Sequence, residues 1–222
     1  MPSREGAEHR GHLATRLNLE EFHSLKEELS KWRVDPQIIE MERERPGGII
    51  LGFVRGLRLS ARLIYAIRHH LSASNLEVDW GHLLTADGSS CSPECDIIIH
   101  LPGYEHIWNG HTDPIMDFKF INCQKAVAVI SCKSFLRAID RRYSQRMRPY
   151  ISNILLFAEC CEPNAVERLK RSAESAGYKG FWYLYACNQN TSECTVDEMQ
   201  WINFIQTLKS LVRVRTRRGT LR

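Results

Sequence analysis

The residues of this sequence best placed to do chemistry together are Asp96, Ser131 and Lys133. Asp96 opens the run Ile97-Ile98-Ile99, so a carboxylate sits at the mouth of an apolar strand. Ala126 to Ile130 form a second apolar run of small or β-branched residues, the composition of a strand covered on both faces. That run ends in Ser131, Cys132 and Lys133. Side chains two apart on a strand share a face, so neighbouring strands would bring Asp96, Ser131 and Lys133 together. A carboxylate that binds a divalent metal beside a lysine that orients water suits phosphodiester hydrolysis. The competing expectation is structural: Asp96 caps the region of the Asp87-Gly88 turn, and Lys133 snorkels to water.

For these residues to meet, the chain must build a sheet around them. The stretch LEVDWGHLLTADGSS alternates and then turns at Asp87-Gly88, a hairpin signal, with ECDIIIHL as the returning strand. Ahead of it, GLRLSARLIYAIRHHL places Leu59, Leu63, Ile67 and Leu71 on one stripe of a helix. His69 and His70 end that helix, where cationic side chains suit the dipole. Residues 102 to 123 carry Pro102, Gly103, Gly110 and Pro114 and read as a long loop. After Lys133 the pattern predicts a helix from about Phe135 to Tyr150, then a strand at NILLFAEC. A helix opened by Pro163 and closed by Gly177 follows, then a strand at GFWYLYAC and a last helix over TVDEMQWINFIQTLKSLV. The order α-β-β-β-α-β-α-β-α describes an α/β fold, a mixed β-sheet flanked by helices.

Around that domain, placed at 51–212, the sequence predicts three additions. Residues 1–17 read as a disordered N-terminus. Residues 18–50 read as a helix capped by Asn18, followed by an irregular arm broken by Pro36, Pro46, Gly47 and Gly48. Residues 213–222 read as a basic tail.

Composition narrows the class. The 222 residues are 43% hydrophobic and 25% charged, as in one soluble domain with small additions. No apolar run approaches the ~20 residues that span a bilayer, and MPSREGAEHRGHL lacks the apolar core of a secretory signal. A cytoplasmic protein with no membrane partner is expected. Its eight cysteines are then expected to be reduced and mostly buried. Cys91 and Cys95 could begin a zinc site, but no second pair completes it. No phosphate-binding glycine loop is present, so nucleotide-dependent chemistry finds no support.

The net charge of +4 is small but clustered. Arg137, Arg141, Arg142, Arg146 and Arg148 follow Lys133, and Arg213, Arg215, Arg217, Arg218 and Arg222 crowd the last ten residues. Such clusters are either solvated surface or a phosphate-binding footprint that gains affinity by releasing counterions.

The block DGSSCSPECDIIIH followed by AVAVISCKS resembles the active-site hairpin of the PD-(D/E)xK, restriction-endonuclease-like nuclease superfamily. It is similar in particular to an uncharacterised prokaryotic family with the pattern D-G-x-x-S-P-Q-x-D-I-I-I, then V-I-E-V-K-S. LRLSARLIYAIRHHL occupies the place of that family's first core helix, and the match covers residues 57 to about 140. The resemblance implies a restriction-endonuclease-like core, with Asp96 and the backbone carbonyl of Cys132 binding Mg²⁺ or Mn²⁺ and Lys133 as the catalytic lysine. The departure is Ser131, which stands where the family has glutamate and brings no negative charge. Restriction enzymes with S-x-K take the acid from 14 positions beyond the lysine, which here is Met147. Glu94 is the first candidate for a relocated acid, because it would share a strand face with Asp96. Glu77, Asp79 and Asp140 are the others.

Two functions follow from this reading. The first is a metal-dependent endonuclease hydrolysing DNA, in restriction or defence against foreign DNA, with Arg137, Arg141, Arg142 and Arg146 holding the backbone. RNA stays open as a substrate, and cleavage of two strands suits a homodimer. The second is a catalytically inactive relative that binds nucleic acid or serves assembly, favoured by Ser131 and Met147.

Overall fold

The computed structural model describes residues 49–103, 119–188 and 193–219, with side chains between 56 and 212. The expectations for 1–17, for most of 18–50, for the loop tip 104–118 and for the side chains of 213–222 lie outside these residues.

The apolar stripe seen in sequence builds helix α1 (Ile49–His70). Leu59, Leu63 and Ile67 on that stripe are buried, as is Leu71 just beyond the helix. There follow β1 (Glu77–Leu84), β2 (Cys95–His100), β3 (Lys119–Asn122), β4 (Ala126–Leu136), α2 (Arg141–Met147) and β5 (Ile154–Cys161). A single 3-10 turn at Pro163–Ala165 leads into α3 (Val166–Ala176), then β6 (Gly180–Cys187), β7 (Cys194–Val196) and α4 (Glu198–Gly219). The seven strands form one mixed sheet in the order β3-β1-β2-β4-β5-β6-β7. This is the α/β architecture that the alternation of elements predicts.

Every residue of β5 is buried, because the strand sits between β4 and β6 with helices over both faces. On one face, Leu169, Ala173 and Ala176 of α3 join Leu156, Ala158, Phe181 and Tyr183 in the core. On the other, Phe204 of α4 lies 4.7 Å from the Phe157 ring and 5.5 Å from Trp182, and Trp201 closes the cluster. Gly177 ends α3 at φ 92, a left-handed backbone, and its N–H returns to the helix. Burial in this layered arrangement, rather than helix propensity, holds the elements in place.

Four details differ from the sequence reading. The strand ending in Lys133 does not yield to a helix at Phe135. It runs on to Leu136, because Phe135 and Leu136 pair with Cys160 and Cys161 of β5. The helix is therefore short, and begins only where Asp140 caps it. β3 adds an edge strand within the expected loop, parallel to β1. β7 adds the opposite edge, where Cys187 and Cys194 form a disulfide across the β6–β7 pair, so these two cysteines are not reduced. Finally, the backbone of 213–219 continues α4 rather than forming a separate tail. Among the described residues no helix is long and apolar enough to cross a membrane.

Candidate active site

Asp96 reaches the site through an irregularity in its strand. Asp79 pairs with Ile98 and Gly81 with Cys95, so β2 carries one extra residue at the level of Asp96. A bulge of this kind bends a strand and re-aims its side chains. Gly81 permits the close pairing on the other side. At φ 141 a Cβ there would collide with the backbone of Lys119, the residue that β3 pairs with it.

β2 and β4 are antiparallel neighbours, with Ile97 opposite Ile130 and Ile98 opposite Val129. One step further along that register, Asp96 stands across from Ser131, and Lys133 lies two residues on, sharing its face. Asp96 Oδ2 accepts the backbone N–H of Cys132 at 2.7 Å. A strand residue directs its N–H and C=O to the same edge, so the Cys132 carbonyl belongs to this edge too.

Asp96 is an uneasy carboxylate. Burial pushes its pKa up, the Cys132 N–H and the Lys133 cation oppose this, and the charge of Glu94 adds to it. The result is a pKa above the usual value. Ser131 is 1% exposed. Its hydroxyl lies against the Asp96 carboxylate and favours the ionised form.

Helix α2 closes the site from the side. Asp140 caps it, accepting the N–H groups of Arg142 at 2.9 Å and Tyr143 at 3.2 Å. That role occupies Asp140 as a cap and keeps it with the helix. Tyr143 points inward from the same stripe as the buried Met147, its buried hydroxyl against the Cys95 thiol. Burial, then Cys95 and Asp96, pushes its phenol well above the ordinary value. Tyr178 lies close by and donates to the Asp140 carbonyl at 3.1 Å. Tyr150 donates to the Cys91 carbonyl at 2.8 Å and meets Ser90 Oγ at 2.7 Å, pinning the β1–β2 turn to the end of α2. These tyrosines were not singled out from sequence. The available signal was Tyr143 four residues before Met147, the spacing of one helix face.

The remaining expected residues divide. Glu94 lies just ahead of β2, exposed, and close enough for its charge to act on Asp96. Arg141, Arg142 and Arg146 are exposed on α2. Arg137 is exposed but not helical: it follows β4 directly, its guanidinium 5.5 Å over the Phe135 ring. Met147 is wholly buried and serves packing.

Glu77 and Asp79 belong elsewhere. Asp79 turns to His100, four residues along β2 from Asp96, with Oδ2 3.1 Å from Nε2. Arg68 holds its other oxygen at 2.9 Å. Ligand atoms of Glu77, Asp79 and His100 all lie within 4.8 Å of one another. A cleft of about 390 Å³ beside them is lined by Arg68, Lys119, Ser72 and Ser74 as well as the two acids. Burial would raise Asp79, but His100, Arg68 and Lys119 outweigh it and hold the carboxyl below its usual range.

A mixed seven-stranded sheet flanked by four helices gives the described residues a restriction-endonuclease-like α/β fold. Among solved structures the chain is similar to NucC of P. aeruginosa ATCC27853 in its cAAA-bound form, with a TM-score of 0.52 and 12% identity over 88% of this chain and 92% of that one. It is similar likewise to NucC of E. coli MS115-1 in its cAAA-bound form, with a TM-score of 0.51 and 12% identity over 87% of this chain and 90% of that one. At such identity the likeness is one of fold. No family model matches the sequence, and no curated protein matches it.

Proposed function

We propose that this protein is a metal-dependent nuclease that hydrolyses DNA phosphodiester bonds, acting in restriction or defence against foreign DNA. The observation that carries the reading is the meeting of Asp96 with the end of β4: its carboxylate accepts the Cys132 N–H at 2.7 Å, and Lys133 follows on the same face. The fold, shared with the NucC structures, supports it.

The donors fit a hard cation, since Asp96, the Cys132 carbonyl and Glu94 offer oxygen only. A bound Mg²⁺ or Mn²⁺ supplies Lewis-acid polarisation of a phosphoryl oxygen and a water that ionises near neutrality. Asp96 holds the cation, with Glu94 as the relocated second acid. Lys133 orients the attacking water and opposes the charge that develops on the phosphoryl oxygens. Arg137, Arg141, Arg142 and Arg146 hold the backbone, contacts that position nucleic acid without reading its sequence. A homodimer would cut both strands of a duplex, and RNA is a second substrate to assay.

The specific observation behind the second reading, an inactive nucleic-acid-binding module, is Ser131 in place of an acid together with the burial of Met147. Supercoiled plasmid incubated with and without Mg²⁺ or Mn²⁺ separates the two. Wild type should nick and linearise it only with metal, and Asp96→Ala or Lys133→Ala should lower the rate by at least about 100-fold with the fold intact. Tight plasmid binding without cleavage, by wild type and by Ser131→Glu alike, would leave the binding module as the correct reading.

A further inference from the structure

Three sulfurs stand in a row across the β5–β6–β7 side of the sheet. Cys160 of β5 lies on the ladder opposite Tyr185 of β6. Cys187 is two residues beyond Tyr185, on the same side of that strand. Across the next ladder Cys187 pairs with Cys194 of β7, and these two form the disulfide. Cys160 keeps its thiol, and its Sγ lies 3.2 Å from Cys187 Sγ. Cys161, next in the chain, instead belongs to the core cluster that includes Leu169 and Ala173 of α3. Cysteines on core strands ordinarily serve packing. A thiol set against a disulfide sulfur is also the arrangement from which disulfides change partners.

Exchange proceeds by attack of a thiolate on one sulfur of a disulfide and departure of the other. The 3.2 Å contact singles out Cys187 as the sulfur attacked, so Cys194 is the one that leaves. Cys160 and Cys187 are 4% and 0% exposed, whereas Cys194 is half-buried at the sheet edge beside exposed Thr195 and Val196. Water therefore reaches the sulfur that must carry charge as it departs. We infer that Cys160, Cys187 and Cys194 form a thiol–disulfide exchange site, which moves the bridge between two positions and presents Cys194 to low-molecular-weight disulfides. In the internal step the Cys160 thiol gives its proton to water and its sulfur bonds to Cys187. The Cys187–Cys194 bond breaks, and Cys194 leaves as a thiolate, so nothing is oxidised overall. In the second step that thiolate attacks a small disulfide such as oxidised glutathione. A mixed disulfide forms at Cys194, and one glutathione thiolate departs and takes up a proton. The site stands apart from Asp96 and does not depend on the nuclease reading.

Full-length protein purified without reductant, alkylated while folded and then cut after glutamate, yields the three cysteines on separate peptides, because Glu162 and Glu193 stand between them. Wild type should show a Cys160–Cys187 bridge beside the Cys187–Cys194 bridge, with alkylated Cys194 accompanying the first. In Cys160→Ala the alkylation of Cys194 should fall to background, and in Cys161→Ala it should stay as in wild type. Oxidised glutathione should add one glutathionyl group at Cys194 of wild type and none at Cys194 of Cys160→Ala. The same reagent should close Cys160–Cys187 in Cys194→Ser. Wild type carrying only the Cys187–Cys194 bridge, with Cys194 unlabelled, overturns the inference. So does labelling of Cys194 that persists in Cys160→Ala, or a Cys194→Ser protein that keeps Cys160 and Cys187 as thiols.

Discussion

Asp79 and Asp96 are half-buried carboxylates on adjacent strands, and the chain treats them in opposite ways. Asp79 is closed: His100 meets one oxygen, Arg68 the other, and Lys119 adds positive charge. His100 is itself fully buried, with its second nitrogen 2.7 Å from the Leu101 carbonyl. Asp96 is open: the Cys132 N–H, the Lys133 cation and the Ser131 hydroxyl oppose its burial but do not overcome it. A network whose polar groups are all satisfied rigidifies a structure, while a carboxylate whose burial is only partly offset is the kind of perturbed group that functional sites concentrate. On the proposed reading the open carboxylate is the functional one, although the closed one has a cluster of metal-ligating side chains and a cleft beside it.

Stability should expose the difference first. Asp79→Asn strips the charge from a buried network and should cost roughly 2–3 kcal/mol at neutral pH, seen as a lower denaturant midpoint. Because its folded pKa lies below 3.8, the contribution is complete above that value and lost as the pH falls through the lowered folded value. The gap between Asp79→Asn and wild type should therefore narrow in acid. Asp96→Asn should go the other way and gain about 1 kcal/mol at neutral pH, a usual size where a functional group is held at some cost to the fold. Its folded pKa is raised, so the penalty is absent below 3.8 and develops as the pH climbs past the folded value. That gain should vanish in acid. Parallel pH trends for the two variants would erase the distinction.

Smaller effects sharpen the open site. Asp140→Ala removes the cap of α2, and with it two N–H acceptors, at about 1 kcal/mol. It should also loosen Tyr143 and so reduce cleavage more than stability alone explains, as comparison of rates at equal folded fraction would show. Replacing Arg141 and Arg142 by alanine should lower the salt slope of DNA binding by roughly one per lost phosphate contact. An unchanged slope would return these arginines to ordinary solvated surface.

The parts legible in sequence are those set by local pattern. The stripe of α1, the Asp87-Gly88 turn, the two apolar strands, the 3-10 turn at Pro163 that leads into α3 and the Gly177 end of α3 follow from periodicity and backbone chemistry. The neighbourhood of β2 and β4 also followed, because both ends carry polar residues that would be costly to bury apart. What escaped depends on distant partners. β3 is a strand only because Gly81 lets β1 approach it, and β4 outlasts its apolar run only because β5 pairs with Phe135 and Leu136. The Cys187–Cys194 bridge required the β6–β7 register. Tyr143 and Tyr178 entered the site from elements whose placement over Asp96 no local signal encodes. Arg137 was misplaced onto a helix for the same reason, since the last residues of β4 are fixed by pairing with β5.

The central claim, that the open carboxylate and not the closed one receives the metal, meets its most direct test in calorimetric titration of Mn²⁺ into wild type, Asp96→Asn and Asp79→Asn. Binding retained in Asp79→Asn and lost in Asp96→Asn is the expected result. Binding that survives in Asp96→Asn and disappears in Asp79→Asn would move the metal to Glu77, Asp79 and His100 and contradict the account.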